Sequence, residues 1–333
     1  MGIHRTAGPV VRRLVVGTAA TALVVGAFAP SVIAAGPSVA WQAGAGTSSR
    51  DQAVQVNAFL PRHLTVDVGD TITWNLNSGE FHTVTFLSGA AAPPLIVFGP
   101  NGPSFNLAAV APSGGPTYDG TGIASSGLLT LGQQYTLGFS KAGSFHFLCL
   151  VHAGMNGTVD VQDAGAAYPK TQAQYDTGAL VAGNRLTAAG RTLQARTLAG
   201  ARSSGAGQAA AGTGAAAGDA GSLAVMRFLP GRMVIHTGQT VTWTNHDPET
   251  PHTITFGEEP AGGPLGAFAP SGAAVPGHVT LTSPDEDANS GVIGAGLPFG
   301  TTFTATFAGP GTYHFICALH DDLGMKGTIV VLP

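Results

Sequence analysis

Short runs in which apolar and polar residues alternate dominate the chain. Val54-Gln55-Val56, Leu64-Thr65-Val66 and Thr71-Ile72-Thr73-Trp74 set β-branched and aromatic side chains at every second position. That is the period-two pattern of a strand with one buried face. His82 to Phe86 (HTVTF), Gln134 to Phe139 (QYTLGF) and Phe145 to Cys149 (FHFLC) continue it. Gly69-Asp70 and other Gly, Pro and Asn positions punctuate these runs, and no long 3.6-residue periodicity interrupts them. Short strands separated by such turns predict an all-β fold of the sandwich type.

The pattern then repeats. Phe59-Leu60-Pro61 returns as Phe228-Leu229-Pro230, and Gly69-Asp70-Thr71-Ile72-Thr73-Trp74 as Gly238-Gln239-Thr240-Val241-Thr242-Trp243. Gly143 to Cys149 (GSFHFLC) returns as Gly311 to Cys317 (GTYHFIC). The offset stays between 168 and 170 residues, far longer than the roughly 20–50 residues of a solenoid unit. Two tandem domains are therefore predicted, at residues 52–162 and 222–333, joined by a linker at 163–221. Within the linker, Tyr168 to Leu198 is rich in Ala, Leu, Gln and Arg and predicts one or two helical turns. Ser203 to Gly221 is almost wholly Gly, Ala and Ser, which predicts a flexible tether and argues against a rigid site between the domains. Each domain also carries a long Gly/Pro/Ala-rich insertion, about 88–131 and 257–296, placed near the first His of its motif. A docking or shielding loop and a mobile surface loop both stay open for it.

Charge changes the picture little. Charged residues make up 10% of the chain and the formal charge is −4. Arg5, Arg12 and Arg13 precede every acid, so without them 11 basic residues face 18 acidic ones, a charge of about −7. No basic stripe marks a nucleic-acid partner. Arg12-Arg13, the apolar run Leu14 to Ala29, and small residues through Ala35 predict a signal peptide at 1–35. The run is shorter than the roughly 20 residues of a spanning helix. The reading is a secreted or extracytoplasmic protein with no stable membrane span after cleavage. An uncleaved anchor is the alternative, and the Arg pair hints at the twin-arginine route.

The chemistry lies at the only two cysteines. Cys149-x2-His152-x2-Met155 and Cys317-x2-His320-x4-Met325 each follow, by some 65 residues, a His in a shared phrase, His82 in FHTVTF and His252 in PHTITF. One thiolate, two imidazoles and a weak axial thioether form the His2Cys donor set of a blue-copper site. A single disulfide, favoured in oxidising compartments, explains neither His–Met set. Strand alternation turns Phe145, Phe147 and Cys149 to one face, and Tyr313, Phe315 and Cys317 likewise. His146 and His314 fall on the opposite face. His63, His236, His246 and His278 have no repeat partner and read as surface residues. Asn75 and Asn245 read either as hydrogen-bonding support for the His strands or as ordinary turn polarity.

Both halves resemble the cupredoxin (plastocyanin/azurin) family of blue-copper proteins. The resemblance implies an eight-stranded Greek-key β-sandwich for each half and one copper per domain. His82, Cys149, His152 and Met155 would bind the first ion, and His252, Cys317, His320 and Met325 the second. It further implies that His152 and His320 form exposed entry points for electrons; the long insertions are a departure that puts small-partner docking in doubt. Two-domain relatives that are enzymes place a His beside the copper Cys. Here the neighbours are Leu148 and Leu150, and Ile316 and Ala318, and no His-x-His pair exists. The leading expectation is an exported electron-transfer protein, not an enzyme, acting with a redox partner protein. Copper sequestration or buffering is the alternative, and a two-domain copper oxidoreductase a weaker one.

Overall fold

The alternation read along the chain is realised residue by residue in a computed structural model that describes residues 38–99, 102–272 and 274–333. The strand Thr71–Leu76 buries Ile72, Trp74 and Leu76 and leaves Thr71, Thr73 and Asn75 part-exposed. Its twin Thr240–His246 buries Val241, Trp243 and Asn245 in the same phase. Each half folds as a sandwich. In the first, the strands Val54–Leu60, Ala40–Ser48, Thr71–Leu76, Gln134–Phe139 and Thr117–Tyr118 form one layer, in that spatial order. His63–Asp67, Asn156–Gln162, Gly143–Leu148, Thr85–Phe86 and Ala124–Ser125 form the other. Trp74, Phe86, Phe139 and Phe147 fill the space between them, and Trp243, Phe256, Phe307 and Phe315 do so in the second half. The expected all-β, two-sandwich architecture is present.

The linker differs from its expectation. Gln172–Ser203 is one helix of 32 residues, opened by a capping box in which Thr171 and Gln174 satisfy each other's backbone N–H groups. The Gly/Ala run expected to be a flexible tether is instead the strand Gln208–Ala216. It pairs antiparallel with Ser222–Leu229 and parallel with Thr240–His246. In the first half Ala40–Ser48 (AWQAGAGTS) plays the same part and begins well before residue 52. Both strands lack β-branched runs. They form because neighbours on both sides supply the ladder, so context overrides propensity. The predicted signal peptide lies outside the described residues. Among the described residues no helix is long and apolar enough to cross a membrane.

The two halves join through one ladder. Val54, Gln55, Val56 and Asn57 pair antiparallel with Val225, Ala224, Leu223 and Ser222. Gln55 and Ala224 occupy equivalent places in the repeat, so the contact is isologous, like a two-fold dimer interface within one chain. The result is a continuous ten-stranded sheet. The long helix covers this seam, and Leu186 packs with Val54, Val56, Ala58, Ala210, Val225 and Leu229 in a core of its own. Gly190 permits that approach: a Cβ there would lie 2.4 Å from Val54 Cγ1. Burying each Val or Leu side chain contributes about 1.5–3 kcal/mol, and separation would also expose an unpaired edge strand. The halves are fused.

Amide hydrogen exchange tests this directly. The backbone of Gln208–Ala216 is expected to exchange as slowly as that of Thr240–His246. Exchange at the rate of an unstructured peptide would restore the flexible tether.

Candidate metal centres

Two clusters of donor atoms lie at matching places in the two sandwiches: His82, Cys149 and His152, and His252, Cys317 and His320. Strand ends place them. His82 and His252 sit on isolated bridges to Leu129 and Ile293. Each Cys directly follows its strand, Gly143–Leu148 or Gly311–Ile316. The turn that follows is closed by Cys149 N–H donating to the Met155 carbonyl, and Cys317 N–H to that of Met325. It swings the second His back over the sulfur.

The donor atoms converge. In the first cluster Nδ1 of His82 and His152 lie 3.1 Å apart, and Cys149 Sγ is 3.7 and 3.8 Å from them. In the second the nitrogens are 3.2 Å apart, and Cys317 Sγ is 3.7 Å from His252 and 3.4 Å from His320. For metal–nitrogen and metal–sulfur bonds of about 2.0 and 2.3 Å, a planar trigonal site has edges of roughly 3.5–3.7 Å. Both triangles fit an ion at their centre. Met155 and Met325 are fully buried in the cores that hold these cysteines. Burial alone would push the thiols up, but the two imidazoles facing each sulfur outweigh it and bring both well below the ordinary thiol value. Metal-ready thiolates result.

The surroundings hold the donors still. Thr83 N–H donates to Cys149 Sγ at 3.3 Å, and Thr253 N–H to Cys317 Sγ at 3.3 Å. The Thr83 hydroxyl accepts from Leu150 N–H at 2.8 Å, and that of Thr253 from Ala318 N–H at 2.8 Å. One Thr thus fixes both the sulfur and the start of the loop after it, which is why HTVTF and HTITF share that residue. Behind each first His the strand backbone bulges through a left-handed glycine, Gly46 (φ 73) or Gly212 (φ 76). A Cβ there would lie 2.4 Å from His82 Nε2 or 2.1 Å from His252 Nε2. Ser78 Oγ meets His82 Nε2 at 2.8 Å, whereas His252 Nε2 is buried without a partner. Asn245 donates to the carbonyls of Thr250 and Ile293, both at 2.9 Å, bracing the His252 loop. Asn75 bonds Gln42 and Gln134 instead, away from the donors.

His152 and His320 depart from expectation. They are 3% and 6% exposed, because each faces the other across the seam. Between them stands the buried carboxylate of Glu80, 3.7 Å from His152 Nε2 and 3.5 Å from His320 Nε2. Burial alone would raise its pKa, but the facing imidazoles hold it below the ordinary carboxylate range. The long insertions meet over the same place: Phe98 and Phe268, one from each, have ring centroids 6.5 Å apart. They roof a cavity of about 320 Å³ whose lining includes Phe81, Phe105, Leu297, Leu319, Glu80 and both histidines. Sequence reasoning missed Glu80, Gly46 and Gly212. The repeated Ala-Gly-Thr of residues 45–47 and 211–213 marks the glycines, and Glu80 recurs as Glu249, a match that one extra residue before His252 obscures.

The remaining histidines sit apart. His146 and His314 are exposed and meet the Thr158 and Thr328 hydroxyls. His63 pairs with Asp160 at 2.5 Å and His278 with the Thr304 hydroxyl. Tyr313, Phe147, Phe315 and both cysteines point inward as expected, while Phe145 is only half-buried.

Sequence comparison finds the same family in both halves. The family model described as copper binding proteins, plastocyanin/azurin family, matches residues 48–162 and again 215–332. Plastocyanin of Scenedesmus fuscus is 34% identical over 113 residues, covering 34% of this chain and 91% of that protein. Plastocyanin of Solanum tuberosum is 31% identical over 114 residues, covering 34% and 93%. Among solved structures, the oxidised state of an amicyanin mutant is 22% identical with a TM-score of 0.24, covering 37% of this chain and 82% of that one.

Gly46→Ala is expected to weaken metal binding at the first cluster by about 10- to 100-fold, the usual cost of disturbing a ligand's support. Gly69→Ala is the control. It carries a positive φ as well but open space around its Cβ, so it costs about 1–2 kcal/mol of stability and leaves binding intact. Equal binding in both variants, measured by copper titration, would contradict the close packing on His82.

Proposed function

Because the chain belongs to the plastocyanin/azurin family of copper-binding proteins, with one copper for each half, we propose that it is an exported electron carrier with two blue-copper centres. His82, Cys149, His152 and Met155 hold the first ion, and His252, Cys317, His320 and Met325 the second. The observation that carries this reading is the paired set of converging nitrogen and thiolate donors, each sealed in its own apolar core. Copper supplies the one-electron change between its cuprous and cupric states. Thiolate suits the first state and imidazole either.

The protein's part is to keep the donors fixed. The backbone N–H groups aimed at each sulfur, the threonines that lock the loops, and the aromatic layer behind each Cys keep water off the thiolate and tune its electron density. Four protein donors leave no open position of the kind a catalytic metal keeps, which supports a carrier over an enzyme. The partner is a redox protein, and the N-terminal 1–35 segment serves export. His152 and His320 are buried beneath the insertions, which favours exchange with a protein partner through another face. That same burial favours a second reading, copper holding outside the cytoplasm, in which redox change is incidental.

The purified protein is expected to bind two copper ions and to show intense visible thiolate-to-copper absorption. Cys149→Ser and Cys317→Ser should each remove one equivalent and about half of the colour. A colourless protein with its cysteines joined in a disulfide would overturn the assignment. Very slow electron exchange with every small redox protein tried, at both centres, would favour holding over carrying.

A further inference from the structure

The seam contains one arrangement that neither half needs for its own copper. Glu80 is 5% exposed, and its two oxygens are divided between halves: Oε2 faces His152 and Oε1 faces His320. In each His the Nδ1 atom points at the Cys sulfur, so Nε2 is the outward edge. Metal-bound histidines commonly direct that N–H at a carboxylate, which orients the ring and strengthens it as a ligand. Such a carboxylate ordinarily serves one metal. Here one side chain stands in that place for two.

Several features show that Glu80 is built in. By the 169-residue offset of the preceding strand its counterpart is Glu249, which lines the same cavity but accepts from the Ser222 hydroxyl at 2.7 Å, so the two acids of the repeat take different partners. On an isologous axis one group can serve both halves. Gly79 beside it lets the longer second loop close in, since a Cβ there would lie 2.4 Å from Leu323 Cδ2. Leu323 lies in the four-residue spacer of His320-x4-Met325, two residues longer than that of His152-x2-Met155. The Gly79 N–H is held by Ser48 Oγ at 3.0 Å and Gln55 Oε1 at 3.1 Å, and Gln55 is the residue on the seam axis.

On the reading that each half holds copper, we propose that Glu80 joins the two centres into one redox unit, with His152, Glu80 and His320 forming the path along which an electron crosses between halves. With copper bound in both halves, one electron would pass from the reduced to the oxidised centre, and no bond or proton would change place. The negative charge of Glu80 stabilises the cupric state of both centres. Once one centre were reduced and less positive, the shared carboxylate would turn toward the remaining cupric centre and make it harder to reduce. The two reductions therefore separate.

The test uses the full-length, doubly copper-loaded protein and Glu80→Gln, which keeps the shape and removes the charge. Two copper equivalents are expected to remain, and both reduction potentials to rise and to move closer together. After one-electron pulse reduction, transfer between centres should slow by about 10- to 100-fold, the range typical of losing such a supporting contact. Glu80→Asp keeps the charge but withdraws it by one methylene. It should preserve most of the potentials while slowing transfer, and it serves if the Gln variant does not fold. Unchanged potentials and unchanged transfer in a variant still holding two coppers would overturn the bridge and leave the copper sites standing. A shift at one centre only would assign Glu80 to that half and overturn it equally. A wild-type chain that binds no copper would instead remove the reading of the sites themselves.

Discussion

The antiparallel pairing of Val54–Asn57 with Ser222–Val225 decides where every other group can be. Equivalent strands of a repeated fold meet there with an isologous register, so whatever lies at one end of the first sandwich must face its twin. The donor clusters lie at that end. Their second histidines consequently point at each other and are buried, and the insertions that begin near each first histidine close over them. A two-fold seam thus turns what the family resemblance implied to be exposed edges into an internal junction.

Much of the fold was legible in the sequence because strand periodicity and aromatic placement are local. Thr71–Leu76 and Thr240–His246 bury every second residue in the predicted phase. The eight proposed ligands stood out because thiol, imidazole and thioether rarely share such spacing by chance, and the six nitrogen and sulfur donors among them converge. The linker misled for a physical reason. Ala and Gly carry almost no local preference that separates a tether from a strand whose small side chains lie beneath a packed helix. Ala209, Ala210 and Ala211 are buried at that junction, a fact set by the long helix and two neighbouring strands and not by the run itself. Glu80 was hidden for the opposite reason. A single acid in a Gly/Ser turn reads as solvated, and only the meeting of both halves makes it a buried partner of two imidazoles.

The arrangement separates two roles that a single-domain carrier combines at one exposed histidine. On the proposed function, exchange with an outside partner and exchange within the molecule would take place at different sites, since the imidazole edges are committed to the seam. Fixing the donors matters for both. The left-handed glycines behind His82 and His252, and the threonines that hold the loops after each Cys, leave little room for the centres to rearrange when copper changes state.

Pulsed dipolar electron-paramagnetic-resonance measurement on the protein loaded with two cupric ions tests the central claim most directly. Two centres held face to face across Glu80 predict two spins per chain with a strong, narrow dipolar splitting. A weak and broad distribution of distances, or a single spin per chain, would contradict it.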